Sequence, residues 1–60
     1  MANRLKTIRE AQGWKRIELA DRSGVSRTTI WRIEHGYDAT DSILGALARV
    51  LRVKVEALRG

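Results

Sequence analysis

Sixty residues with twelve Lys+Arg against seven Asp+Glu give a formal net charge of +5 and a pI near 10.8, which describes one small basic domain. A chain this short buries only about 60% of the surface it exposes when unfolded, enough for a core but not for a deep substrate pocket, so no enzyme is expected. Zero cysteines exclude disulfides, thiolate metal sites and thiol nucleophiles, and His35, the single histidine, leaves no ordinary zinc set; neither metal nor cofactor is expected.

Apolar residues recur at helical spacing and no segment alternates with the two-residue period of a half-buried strand, so the expected fold is all-helical. A first helix over residues 4–12 places Leu5, Ile8 and Ala11 or Gln12 along one side, with Asn3 as its N-cap and Gly13 as its stop. A second, over residues 15–22, turns Leu19 and Ala20 inward. It lacks a capping side chain and sets Glu18 four residues before Arg22, the favourable order for an ion pair. Ser23-Gly24-Val25-Ser26 reads as a turn, in which Gly24 supplies the positive φ that ends one helix and Ser26 caps the next. The third helix covers residues 27–35, with Ile30 and Ile33 buried and Gly36 at its end. After a Tyr37-Asp38-Ala39 connection, Thr40 caps a fourth helix with Asp41 in its first turn and Ile43, Leu44, Leu47, Ala48 and Leu51 on one face. A short fifth helix over residues 55–59 adds Val55 and Leu58, with Val53 before it, to the core. Repeats, low-complexity tracts and linkers are absent, so residues 1–60 are expected to form one domain of four to five helices.

The offsets of Leu19, Ala20, Gly24, Val25, Ile30 and Ile33 have a common mechanical reason. A small residue allows a close helix crossing, a glycine reverses the chain, and a β-branched stripe buries the inner face of the following helix. That arrangement is a helix-turn-helix over about residues 16–35, and it leaves the outer face and N-terminal end of its second helix exposed in a shape that fits a DNA major groove. Nine of the twelve basic residues are arginine, whose planar fork suits phosphate and guanine.

Over nearly its full length the chain resembles the phage-repressor-like helix-turn-helix family, also called Xre or Cro-like. The stretches that carry the resemblance are Leu5 to Glu10, Leu19-Ala20, the run Gly24-Val25-Ser26-Arg27-Thr28-Thr29-Ile30-Trp31-Arg32-Ile33-Glu34-His35-Gly36, and Leu47-Ala48 through Leu51 and Val53. The resemblance implies a lambda-repressor-like domain whose third helix reads bases in double-stranded DNA, acting in transcriptional control as a repressor in a bacterial or phage-infected cytoplasm, on the nucleoid. By position, Arg27 and Thr28 match base-contacting sites, Arg32 matches a site touching base or backbone and is expected at a base, and Ser26 matches a cap that also lies near phosphate; Thr29 is expected at the DNA backbone or facing solvent. Arg9 and Glu34 match a pair joining the first and third helices, a structural role.

Several residues depart from the family pattern. Trp14-Lys15-Arg16 stands where leucine, threonine and glutamine are usual, so the customary threonine cap is missing and Arg16, in place of the glutamine, is expected to contact phosphate. Ile17 and Trp31 are apolar where relatives are often polar. Trp31 is expected against the sugar-phosphate backbone, against another subunit, or beside Tyr37. Arg52 replaces a common glycine after the fourth helix.

Self-association is expected to use the domain itself, with Tyr37, Val55, Leu58 and Arg59 marking the expected surface of a weak homodimer formed on DNA. The competing function is a protein-interaction module, such as a toxin-neutralising antitoxin or an assembly adaptor. Apolar runs are only a few residues long, far below the roughly 18 needed for a span, and no small-molecule pocket is evident, so neither membrane nor small ligand is expected as a partner.

Overall fold

The computed structural model describes residues 4–59, and all the regular structure among them is helical: α1 (Leu5–Ala11), α2 (Arg16–Ser23), α3 (Arg27–Glu34), α4 (Asp41–Leu51) and α5 (Val55–Arg59). Each helix falls within a residue or so of where the apolar spacing puts it. The expected cap Asn3 lies outside the described residues. Instead the Arg4 amide donates to the Leu58 carbonyl at 3.1 Å, so the start of α1 is tied to α5.

The ends of the helices are set by local chemistry. Lys15 has no side-chain acceptor, yet the start of α2 is not bare, because Glu18 reaches back to accept from the Lys15 amide at 2.9 Å. This turns Glu18 away from Arg22, whose guanidinium lies 5.9 Å from the centre of the Trp14 ring; the expected Glu18–Arg22 pair does not form among the described residues. Gly24 closes α2 at φ 77°, its amide donating to the Ala20 carbonyl at 2.9 Å. Ser26 caps α3 and Thr40 caps α4, each accepting from the amide three residues on, at 3.1 and 3.2 Å.

The end of α4 is a Schellman turn, with Arg52 N–H on Arg49 and Val53 N–H on the Ala48 carbonyl at 3.0 Å. Arg52 occupies its left-handed position at φ 58°, the only non-glycine among the described residues to do so. The turn therefore forms without the usual glycine, at the steric cost of a Cβ in that conformation.

α2 packs on both α3 and α4, α4 on α5, and α1 on α3 and α5. The core at their junction consists of Leu5, Leu19, Val25, Ile30, Ile33, Leu44, Leu47, Ala48, Leu51 and Leu58. α1 departs from its expected apolar stripe. Ile8 is half-buried, Ala11 and Gln12 are exposed, and the second buried position is Arg9, 6% exposed. Gln12 instead binds across the domain, its Nε2 donating to the Leu51 carbonyl at 2.8 Å.

The surface expected to mediate self-association is largely consumed by the fold. Leu58 is in the core, Val55 packs against it, and Arg59 pairs with Asp41. Only Tyr37, 63% exposed, remains free of these roles. No helix among the described residues is long and apolar enough to cross a membrane.

Candidate nucleic-acid interface

Ile30 and Ile33 anchor the inner face of α3 in the core, so side chains well over a quarter-turn round the helix from that pair face outward. Arg27, Thr28, Trp31 and Arg32 are all on that outer face and all exposed. Spacing on the helix sets their grouping: Trp31 follows Arg27 by four residues and Arg32 follows Thr28 by four, making two neighbouring columns.

The N-terminal end of α3 is a hydroxyl pair. Ser26 Oγ accepts from the Thr29 amide and donates to Thr29 Oγ1 at 2.9 Å, which leaves the Thr29 hydroxyl hydrogen available to an outside acceptor. The two residues expected near the DNA backbone are thus coupled. Ser26 is first a cap, and Thr29 is the member of the pair with a donor to offer.

What holds the angle of α3 is a three-residue cluster around a buried carboxylate. Glu34, at the last turn of α3, has a fully buried side chain. Arg9 Nε donates to its Oε2 at 2.6 Å, Arg9 Nη2 to its Oε1 at 3.4 Å, and Arg16 Nε to Oε1 at 2.7 Å. Arg9 also donates from Nη1 to the Trp14 carbonyl at 2.7 Å, which fastens the link between α1 and α2 to the same cluster. Burial pushes the Glu34 carboxyl up, but the hydrogen bonds and charges of Arg9 and Arg16 more than reverse this and hold it below its ordinary value. The expected Arg9–Glu34 pair is present. The second cation on Glu34 is the feature that sequence reasoning missed: Arg16 is expected at phosphate, and nothing in its spacing from Glu34 marks it as a partner.

Arg16 has a double aspect. Its Nε is engaged by Glu34, while the side chain is 36% exposed and joins Ile17, Arg27, Thr28 and Trp31 around an open groove of about 380 Å³ between α2 and the start of α3. Arg32 does not line this groove and stands further along the outer face. Among the described residues the aromatic partner of Trp31 is His35 and not Tyr37. The indole stacks on His35 with ring centroids 3.8 Å apart and planes at 19°, and His35 Nδ1 lies 2.8 Å from the Trp31 carbonyl oxygen. A stacked indole at 45% exposure is held in place while keeping an edge to solvent. No group of three His, Asp or Glu side chains among the described residues is placed to hold a metal ion.

Taken together, an exposed helix face carries two arginines and a threonine, a groove beside it carries a third arginine, and a buried carboxylate ties the helix to two others. A family model described as helix-turn-helix matches residues 5–58. No curated protein matches the chain significantly.

Proposed function

The chain belongs to the Xre/Cro-like helix-turn-helix family of DNA-binding regulatory domains, and on that premise we propose that it is a sequence-specific transcriptional repressor that lays α3 in the major groove of double-stranded DNA. The carrying observation is the outer face of α3, where Arg27, Thr28 and Arg32 are exposed together on a helix braced from behind by Glu34. Arg27 and Arg32 offer planar donor pairs to guanine O6 and N7, each such contact worth roughly 1–3 kcal/mol of discrimination, and the Thr28 methyl suits a thymine methyl. Contacts to phosphate fix register: the Thr29 hydroxyl, the capped helix start at Ser26, and the N–H donors of Arg16 other than Nε.

One recognition helix covers a few base pairs, so operator-level specificity needs two copies about 34–36 Å apart. With Leu58 and Val55 engaged in or against the core and Arg59 paired, the surface expected for self-association keeps only Tyr37 to drive a free dimer. The second copy therefore joins on DNA, giving a weak homodimer. In this reading the protein works in the cytoplasm, on the nucleoid.

Selection of duplexes from a random library by the purified chain tests the proposal. Enrichment of a two-fold motif supports it. Uniform binding to all sequences that vanishes steeply with salt leaves only counterion release and overturns it in favour of a protein partner for this fold.

A further inference from the structure

Ile17 and Trp31 are the two large apolar side chains that the fold leaves out of its core on the α2–α3 side, 56% and 45% exposed, and they line the same groove. Exposed apolar residues scattered singly need no explanation; two lining one groove form an apolar slot. The slot is rimmed by Arg16 and Arg27, and Thr28 adds a methyl to its lining. Trp31 is supported on one side by its stack on His35.

Resting on the DNA-binding reading above, we propose that this slot is a subsite for the C5-methyl group of a thymine, walled by Trp31 and Ile17, next to the base contacted by Arg27. The C5-methyl is the apolar group that a base pair presents in the major groove, the other edge groups being hydrogen-bond donors and acceptors. Of the two guanidinium groups at the rim, Arg16 suits a backbone phosphate beside such a thymine and Arg27 the edge of the adjoining base. They also oppose a second copy of this chain in the same place, since a two-fold contact there would set Arg16 and Arg27 against their own counterparts. The slot therefore makes an apolar contribution to sequence reading that the arginines cannot supply.

The test uses the full chain and the duplex it selects, with each thymine in turn replaced by deoxyuridine, which pairs identically but lacks the methyl. In the wild type, replacement of one thymine per half-site weakens binding about three- to five-fold, the effect of one buried methyl. In Trp31→Ala that difference between thymine and uracil disappears while the salt dependence of binding is unchanged. Ile17→Ala, on the other wall and away from the His35 stack, reduces the same difference and guards against a local collapse of α3. Circular dichroism confirms that both variants keep their helices. The proposal is overturned if no uracil replacement affects the wild type, if Trp31→Ala weakens thymine and uracil duplexes equally, as loss of a backbone contact would, or if Trp31→Ala abolishes a self-association seen without DNA and leaves the uracil effect intact. A wild type that enriches no duplex at all defeats the DNA-binding reading itself, and is distinguishable from each of these.

Discussion

Arg16 Nε donates to Glu34 Oε1 at 2.7 Å, so the first residue of one helix of the helix-turn-helix is bonded to the last residue of the other. Because Arg9 from α1 takes the opposite oxygen at 2.6 Å, one carboxylate sets the position of three helices. A family glutamine would offer a neutral hydrogen bond at this place; Arg16 offers a charged one.

Removing Glu34 should be a folding lesion rather than a loss of base reading. Glu34→Ala leaves two guanidiniums facing a pocket without their carboxylate, an outcome costing about 3–5 kcal/mol. Domains of this size have about 3–9 kcal/mol in total. Urea denaturation is expected to show most of the stability gone, whereas Arg16→Gln, at a partly exposed position, costs about 1 kcal/mol or less and leaves a folded chain.

The same carboxylate predicts an acid response. Its proton affinity is lowered in the folded chain, so its contribution is complete above the ordinary carboxylate value of about 4.3 and is lost as pH falls through the lower folded value. Melting temperatures recorded from pH 6 down to pH 2.5 should fall from about pH 5 and keep falling below 4.3 in the wild type. Glu34→Gln should start from a lower melting temperature and show a flatter decline.

Arg52 at φ 58° predicts a stabilising substitution. Arg52→Gly relieves the Cβ contact of the left-handed conformation and gives back part of that gain through a more flexible unfolded chain, for a net of about 0.5–1 kcal/mol. A rise of several degrees in melting temperature is the expected result.

Ser26→Ala separates capping from binding. Loss of the bond from the Thr29 amide costs about 1 kcal/mol of stability. DNA titrations run well below the melting temperature should then show only a modest loss, small beside that of Arg27→Ala.

The order and ends of the helices were legible in the sequence because helical apolar spacing and the glycine and hydroxyl punctuation at Gly24, Ser26 and Thr40 all act locally. The outward face of α3 was legible for the same reason, once Ile30 and Ile33 are assigned to the core. What was not legible lies between elements. The pairing of Arg9 with Glu34 on α3, 25 residues away, was legible only through the family resemblance, because the apolar spacing of α1 points to Ile8 and Ala11 or Gln12 and not to Arg9 as its second buried position. Glu18 could turn toward Arg22 or back to the Lys15 amide, and the free N–H at the helix start won. Trp31 had several partners within reach, and the stack on His35, four residues on along the same helix, is the one that formed.

The central claim is that α3, braced by Glu34, reads sequence through Arg27. Its most direct test is titration of the wild type and of Arg27→Ala, confirmed folded, against the selected duplex and a scrambled one of equal length, at two salt concentrations. The account predicts that Arg27→Ala loses about ten- to a hundred-fold on the selected duplex, little on the scrambled one, and keeps nearly the same salt slope. Equal losses on both duplexes, with a shallower salt slope, would make Arg27 a phosphate contact and contradict the account.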